Sequence, residues 1–313
     1  MNDQAICWDR GRPARNEREA RKYQDLKICA PAAHCGRDPR GPSKSLDRCQ
    51  SSSLTLPSRA LLPSKKMQVM QTDLISAELR NRFEHARRVL VLTGAGISAE
   101  SGVPTFRGGG NTAVWKGMPF DVISSARMVE RDLPAVWEWF DYRRSLLQSL
   151  HPNPAHYELA RWANLFPEFT LVTQNVDGLH QTAGSRDVIE LHGSVWRARC
   201  VSCRASYEIV RDKQRLDNCH GCGAWLRPDV VLFGEMLPPG AFEVAAERAA
   251  ECQLCFVVGT SALVYPAASL PEIAKAAGAY VCEVNPERTP LSAICDEVLT
   301  GKAGEVLPLI GKS

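Results

Sequence analysis

The chain has 313 residues, of which 44% are hydrophobic and 23% are charged, proportions that are ordinary for a globular protein with a sizeable core. No apolar run approaches the roughly 18 residues that a membrane span needs, so we predict no membrane partner. The net charge of +3 is uneven: residues 1–66 carry fourteen basic and seven acidic side chains, whereas residues 67–313 carry 24 and 28. This acidic balance argues against direct nucleic-acid binding by residues 67–313.

Residues 1–66 are rich in Arg, Pro and Ser and show no sustained periodicity, which predicts a disordered extension. The alternative is a misassigned start, with Met67 or Met70 beginning the protein. A transit presequence is disfavoured by the seven acidic residues, and no secretory signal peptide is recognisable. We therefore predict a cytoplasmic protein, or a mitochondrial one if the extension is a true presequence.

Helical and strand patterns alternate from residue 72 onwards. Apolar residues at helical spacing predict a helix over 74–86, with Thr72 or Asp73 as its N-cap. Buried strands are predicted at 89–93, 169–173, 188–191, 254–258 and 280–284. Several of them are separated by helical patterns, which predicts an α/β fold with a Rossmann-like parallel sheet and helices on both faces. Ligands bind such sheets at the carboxyl ends of the strands, so we expect the chemistry there.

The first strand is followed by a glycine-rich loop. Gly94, Gly96 and Ala99 fit the pattern G-x-G-x-x-[G/A], in which the glycines permit a tight turn and the next helix holds a pyrophosphate at its N-terminus. A tight strand-to-helix turn without a ligand is the alternative. A dehydrogenase would carry an acidic residue about 20 positions later at the end of a second strand. Residues 111–121 do not read as a strand, so an ordinary hydride-transfer enzyme is disfavoured.

The other predicted strands also end in small or polar residues: Gln174-Asn175-Val176-Asp177, His192-Gly193, Gly259-Thr260-Ser261 and Asn285-Pro286-Glu287. His192 is the candidate general base, because an imidazole titrates near neutral pH. His156 and His180 have no comparable placement, and we expect His180 to pack or to cap.

Two C-x-x-C pairs, Cys200/Cys203 and Cys219/Cys222, are separated by fifteen residues. This spacing is typical of a zinc ribbon, in which four thiolates close a tetrahedron. Since no position is left open, we predict one structural zinc in a small module inserted at about 197–228. Two disulfides are the alternative, which the missing signal peptide disfavours. A third pair, Cys252/Cys255, has no partner pair and leads into an apolar strand, which favours buried structural cysteines.

Six stretches, in the expected order, resemble the sirtuin family. Residues 94–108 (GAGISAESGVPTFRG) resemble its cofactor loop, residues 173–180 (TQNVDGLH) its second signature, and residues 190–193 (ELHG) its catalytic-histidine segment. The paired cysteines, residues 259–261 and residues 284–286 follow. The resemblance covers about 70–312, which indicates a catalytic domain over 67–313 with a helical segment at about 108–160. The short core and the stretch AESGVPTFRG (residues 99–108) are most similar to the bacterial and mitochondrial deacylase branch.

The resemblance implies an NAD-dependent protein-lysine deacylase, which transfers the acyl group to ADP-ribose and releases nicotinamide. It implies NAD as co-substrate, a structural zinc ion, His192 as the base that takes a proton from a ribose hydroxyl, and Asn175 as a second catalytic residue. The implied NAD contacts are Gly94, Ala95, Gly96, Ile97, Ser98, Thr105, Phe106, Arg107, Gln174, Asn175, Asp177, Gly259, Thr260, Ser261, Asn285 and Ala303.

The implied partners are acylated lysine side chains of proteins. Val231, Phe233 and Gly234 belong to a segment that resembles the one pairing with the substrate peptide by strand addition. The branch that removes succinyl and malonyl groups carries Tyr-x-x-Arg, whereas this chain has Phe140 and Arg143 at those positions. We therefore predict deacetylation with weaker desuccinylation and demalonylation; a solvated helix residue is the alternative for Arg143.

Two other functions stay open at the level of the sequence. Mono-ADP-ribosyl transfer or NAD hydrolysis would use the same nicotinamide pocket and differ in the acceptor. A non-enzymatic zinc-ribbon module that binds nucleic acid or protein is the second alternative, which the acidic balance of residues 67–313 disfavours. No long apolar heptad appears, and we predict a monomer.

Overall fold

The computed structural model describes residues 74–104, 114–211 and 215–311. The predicted extension, the N-cap candidates Thr72 and Asp73, and the predicted NAD contacts Thr105, Phe106 and Arg107 lie outside these ranges. Within them, no helix is both long and apolar enough to cross a membrane.

The described residues form eleven strands and nine α-helices. The strands are β1 (Arg88–Thr93), β2 (Val114–Trp115), β3 (Met118–Pro119), β4 (Glu168–Thr173), β5 (Ile189–Glu190), β6 (Gly193–Cys200), β7 (Ser206–Glu208), β8 (Leu226–Val230), β9 (Leu254–Val258), β10 (Tyr280–Asn285) and β11 (Glu297–Thr300). The helices are α1 (Ala77–His85), α2 (Phe120–Ile123), α3 (Ala126–Arg131), α4 (Leu133–Gln148), α5 (Pro154–Trp162), α6 (Leu179–Thr182), α7 (Ala241–Glu251), α8 (Leu270–Ala276) and α9 (Ala303–Ile310).

The larger layer is a parallel sheet of six strands in the order β11-β10-β9-β1-β4-β5. Apolar side chains of α1, α5 and α9 cover one face of this sheet. Those of α7 and α8 cover the other face. Because both faces are buried, successive side chains of β1 and β9 are apolar rather than alternating with polar ones. The predicted α/β fold with a doubly covered parallel sheet is confirmed.

All five predicted strands are present, and the sheet has a sixth that the sequence did not suggest. β11 has only four residues and pairs through Glu297 opposite Cys282 at the edge of the sheet. The prediction of Thr72 or Asp73 as N-cap is wrong, because α1 begins later and Ser76 caps it, its hydroxyl accepting from the Leu79 N–H at 3.0 Å. Glu297 accepts a hydrogen bond from the Ser76 N–H at 3.0 Å, which fixes this start.

A second, smaller core lies between the cysteine module and the helices α2 to α4. The module is an antiparallel sheet in the order β7-β6-β8 and spans 193–230, slightly more than the predicted 197–228. A short β2–β3 hairpin precedes α2. The helices α2 to α5 lie within or near the predicted helical segment at 108–160, but α5 packs in the core of the large sheet.

Candidate active site

The glycine loop after β1 packs directly against the end of β9. The Gly94 N–H donates to the Val258 carbonyl at 3.0 Å and the Gly96 N–H donates to the Gly259 carbonyl at 2.7 Å. A Cβ at Gly96 would lie 2.7 Å from the Gly259 Cα, so these positions accept no side chain. The loop continues into a 3₁₀ helix, Ala95–Ser101, and not into the α-helix that the motif led us to expect.

Ser98 of this 3₁₀ helix is the centre of a buried polar cluster. Its hydroxyl donates to Asp177 Oδ2 at 2.8 Å and accepts from the Asn175 amide at 3.1 Å. His156 Nε2 lies 3.3 Å from the same oxygen, while the Asn153 N–H points at His156 Nδ1 at 3.3 Å. Nδ1 therefore accepts and Nε2 carries the proton that is donated to Ser98. The hydroxyl thus has one acceptor and two donors, and its orientation is fixed.

The carboxyl group of Asp177 is held from several sides. Oδ1 accepts from the Leu179 N–H at 2.9 Å, and the Trp196 indole donates to the Asp177 carbonyl at 2.7 Å. Burial raises the pKa of Asp177, while the hydrogen bonds from Leu179 and Ser98 and the charge of Arg143 oppose this shift. A buried, immobile carboxyl suits the recognition of an uncharged amide such as that of nicotinamide.

A second buried histidine lies beneath this cluster. The rings of His156 and His180 are 4.9 Å apart, and His180 Nε2 is 3.0 Å from the Thr93 hydroxyl. Burial lowers the pKa of His156 to about 4 and that of His180 to about 3, so both rings are neutral at pH 7. The expectation that His180 packs agrees with its burial. The sequence did not indicate His156 as part of the site; its position next to the α5 cap residue Asn153 was the only local signal.

His192 lies at the carboxyl edge of the sheet with a defined tautomer. Its Nδ1 is 2.8 Å from the Gln174 carbonyl, which can only accept, so Nδ1 carries the proton and Nε2 has a free lone pair. Burial lowers the pKa of His192, although the hydrogen bond to Gln174 raises it. A neutral imidazole with an unprotonated Nε2 is the form that a general base requires.

Several of the predicted NAD contacts from β4, β9 and β10 meet around Thr260. The Gln174 amide donates to the Thr260 hydroxyl at 2.9 Å, and the Asn285 amide donates to the Thr260 carbonyl at 2.8 Å. The ends of β4, β9 and β10 are thereby joined, with Ser261 half-buried beside them. Ala303, the first residue of α9, and Ile97 are buried in the sheet core, so only their backbone groups can face a ligand.

Arg143 lies next to a cavity of about 250 Å³ between the 3₁₀ helix and α4. The cavity is lined by Gly102, Pro104, Arg143, Leu146, Leu147, Ser149 and Leu150. The guanidinium stands 5.6 Å from the centre of the Trp139 ring, and burial lowers its pKa while the charge of Asp177 raises it. This environment does not fit a fully solvated helix residue. Phe140 packs into the smaller core and does not line the cavity.

The segment predicted to bind peptide is fixed beside His192. The Val231 N–H donates to the His192 carbonyl at 3.0 Å, and the Phe233 N–H donates to the Ser124 carbonyl at 2.9 Å. A buried ion pair between Arg227 and Glu235 closes the loop behind it. Within the described residues, the Val231 carbonyl and the backbone of Gly234 have no hydrogen-bond partner, which leaves groups for an added strand, whereas both backbone groups of Phe233 are occupied.

The four cysteines of the module converge. All four sulfur atoms lie within 4.8 Å of one another, with Cys200 to Cys222 at 3.4 Å and Cys203 to Cys219 at 3.5 Å. Zinc bound about 2.3 Å from each thiolate requires sulfur separations of about 3.8 Å, so the cluster fits a closed tetrahedral site. All four cysteines are free thiols, so the described residues contain no disulfide among them. β6 begins directly after His192 and ends at Cys200, which connects this cluster to the site.

Comparison with known proteins agrees with this geometry. The model of the Sir2 family matches residues 94–266. The NAD-dependent protein deacylase 2 of Pyrobaculum aerophilum is 47% identical over 224 residues, covering 71% of this chain and 89% of the relative. The NAD-dependent protein deacylase of Aquifex aeolicus is 48% identical over 217 residues, covering 69% of this chain and 90% of the relative.

Solved structures agree as well. A Sir2 homolog–NAD complex superposes with a TM-score of 0.70 at 42% identity, covering 75% of this chain and 93% of that chain. A Sir2 homologue mutant with 2′-O-acetyl ADP ribose superposes with a TM-score of 0.68 at 42% identity, covering 75% of this chain and 95% of that chain. A Sir2 bound to acetylated peptide superposes with a TM-score of 0.64 at 30% identity, covering 74% of this chain and 94% of that chain. These findings confirm the predicted class of NAD-dependent protein deacylase with a four-cysteine cluster that fits structural zinc. The chain belongs to the Sir2 family.

Proposed function

We propose that this chain removes acetyl groups from protein lysine side chains and transfers them to ADP-ribose, with weaker activity on succinyl and malonyl groups. The observation that carries the proposal is the position of His192. His192 is joined through Nδ1 to the Gln174 carbonyl, in the stretch suited to a dinucleotide, and through its own carbonyl to the Val231 N–H of the peptide segment. Its Nε2 is left unprotonated. Solved relatives with bound NAD, O-acetyl ADP-ribose and acetylated peptide support the same assignment.

Bound NAD would supply a ribose carbon that becomes electrophilic as nicotinamide leaves. Asp177 and Asn175 orient the carboxamide end, because both are fixed by Ser98. Thr260, Ser261 and Asn285 hold the adenosine half, and Gly94 and Gly96 leave room for the phosphates near the backbone. The Nε2 atom of His192 accepts a proton from a ribose hydroxyl. The oxygen of that hydroxyl then attacks the acyl carbon.

The site keeps water away from the reacting groups. Ser98, Asp177, His156 and His180 are all buried, and hydrogen bonds join Ser98 to Asp177 and His156, and Asp177 to the Leu179 backbone. Developing positive charge on the ribose is stabilised by such preorganised groups without reorganisation of solvent. A zinc ion held by the four cysteines would take no part in the reaction, since four thiolates would complete its coordination.

The acyl preference follows from the cavity beside Arg143. A guanidinium at the wall of a 250 Å³ cavity can pair with a carboxylate in two parallel hydrogen bonds. Phe140 offers no hydroxyl to complete the recognition and packs away from the cavity. Acetyl-lysine needs neither group, which favours deacetylation as the main activity. The chain acts as a monomer in this proposal.

The decisive experiment is mass spectrometry of the purified full chain with an acetyl-lysine peptide, with and without NAD, beside His192→Ala. We expect NAD-dependent loss of the acetyl group and formation of O-acetyl-ADP-ribose, both absent in His192→Ala. His85→Ala, which changes an exposed histidine on α1, is the matched control and should retain activity. Consumption of NAD without peptide turnover would favour ADP-ribosyl transfer or NAD hydrolysis instead.

A further inference from the structure

The cysteines at the start of β9 lie at the edge of the sheet opposite to the candidate active site. Cys252 is the C-cap residue of α7, and Cys255 is the second residue of β9. Both side chains belong to the core on the α7 and α8 face of the sheet. Cys255 is completely buried, whereas Cys252 retains 7% of its surface. Their predicted burial is therefore confirmed, but the two thiols are not equivalent.

An open cavity of about 660 Å³ leads from solvent to Cys252. Its charged lining residues are Arg82, Arg88, Glu168 and Glu251, and the others are Ala250, Gln253, Ala277 and Gly278. Arg88 Nε donates to the Glu251 carbonyl at 2.7 Å, which fixes the guanidinium at the end of α7 next to Cys252. Arg82 and Glu168 have ion-pair partners in Glu78 and Arg248. The described residues provide no salt bridge to Arg88, so its positive charge faces the cavity.

The two thiols differ in acidity in the way that an exchange reaction requires. The pKa of Cys252 is lowered, first by a hydrogen bond from the Cys255 thiol and also by the charge of Arg88, although burial opposes this. The pKa of Cys255 is raised well above that of a free thiol by the same hydrogen bond and by burial. The Cys252 thiol donates to the Ala249 carbonyl at 3.2 Å. Of the two thiols it is the one that loses its proton more readily, and Cys252 is also the cysteine that lines the cavity.

We propose that Cys252 and Cys255 are a redox site, in which a low-molecular-weight disulfide enters the cavity and leaves a reversible Cys252–Cys255 disulfide. The Cys252 thiolate attacks one sulfur of the incoming disulfide, forming a mixed disulfide and releasing the other half as a thiolate. The Cys255 sulfur then attacks the Cys252 sulfur, and the second half leaves as a thiol with the Cys255 proton. The protein loses two electrons and two protons in total, and the reagent becomes two thiols. No residue of the proposed deacylation takes part.

The test uses the zinc-loaded full chain and glutathione disulfide as the probe. After incubation, free thiols are blocked with N-ethylmaleimide and the protein is digested with trypsin. The tryptic peptide over 249–275 contains Cys252 and Cys255 and no other cysteine. We expect this peptide to lose two hydrogen atoms and to escape alkylation, and we expect dithiothreitol to restore both thiols.

Variants separate the two roles. Cys255→Ser should trap glutathione on Cys252, whereas Cys252→Ser should leave Cys255 unmodified. Arg88→Gln should slow the modification several-fold, because it removes the charge that favours the thiolate. Cys295→Ser is the matched control, since burial raises the pKa of that thiol to about 12 and it should leave the 249–275 result unchanged.

Two outcomes would overturn the proposal. One is recovery of the wild-type peptide with both thiols alkylated, under conditions in which the zinc content is unchanged. The other is modification of Cys255 in Cys252→Ser as fast as that of Cys252 in Cys255→Ser, which would mean that the cavity does not select the thiol. Peptide mapping of the wild-type chain decides the first outcome even if a variant fails to fold.

Discussion

The imidazole of His156 lies 4.9 Å from that of His180 beneath the glycine loop. Both groups are buried, and their pKa values of about 4 and about 3 lie below the 6.5 of an unfolded histidine. Below pH 6.5 the unfolded chain therefore binds more protons than the folded one. It follows that the free energy of unfolding falls as the pH drops from 6.5 to 5.

The first prediction is thus a loss of stability in mild acid. Each histidine contributes up to about 1.4 kcal/mol per pH unit, so we expect a loss of several kcal/mol between pH 7 and pH 5 in urea unfolding. His180→Gln should make this dependence shallower, whereas His85→Gln on the surface should not. Asp177 acts in the opposite sense, because burial raises its pKa. Equal slopes for wild type and His180→Gln would contradict the prediction.

The second prediction concerns Ser98. Ser98→Ala leaves the buried Asp177 oxygen without its donor and the Asn175 and His156 donors without an acceptor. Each such loss costs about 1–3 kcal/mol, and most of the sum lowers the stability of the fold. The lost bond to Asp177 alone corresponds to a fall in kcat/KM for NAD of about 10-fold to 100-fold. Steady-state kinetics with an acetylated peptide measure this. Ser145→Ala, which removes an exposed hydroxyl bonded to its own helix, should behave as wild type.

The third prediction concerns the acyl group. We expect Arg143→Met to lower the rate on succinyl-lysine by about 10-fold, because the carboxylate loses its charged partner. The rate on acetyl-lysine should change much less. Arg131→Met, which changes an exposed arginine at the end of α3, serves as control. The two rates are compared on matched peptides, and an unaffected succinyl rate would refute a role for Arg143 in acyl choice.

The fourth prediction concerns the zinc cluster. Cys203→Ser opens the tetrahedron, and since the metal stabilises the small module we expect loss of zinc and a fall in Tm of about 10 °C. Deacylation should be lost with it, because β6 joins the cluster to His192. Zinc is measured by atomic emission and Tm by calorimetry. Cys295→Ser should keep both, and a Cys203→Ser protein with full zinc and wild-type Tm would contradict the assignment.

The large sheet was predictable because its strands are continuous apolar runs that end in polar residues. Parallel strands bring their carboxyl ends to one edge, so Asn175, His192, Thr260 and Asn285 could be assigned to one site before their distances were known. β11 was missed, since four residues at a sheet edge give too little periodicity to recognise.

The buried histidines show what sequence patterns do not contain. His156 comes from α5 and His180 from α6, and only the packing of these helices under the glycine loop makes them neighbours. The 3₁₀ helix at Ala95–Ser101 is likewise set by the hydrogen bonds of the loop to Val258 and Gly259 and not by local propensity. The cavity at Cys252 arises from four separate elements.

The contact between Gly96 and Gly259 restricts how this chain can be redesigned. A methyl group at Gly259 would lie 2.3 Å from the Ile97 nitrogen, and the backbone there has a φ of +59°. Backbone atoms already fill the space on both sides, so engineering of dinucleotide preference has no room at the loop itself. Changes would have to begin at side chains that keep solvent exposure, such as the half-buried Ser261 and the exposed Lys302.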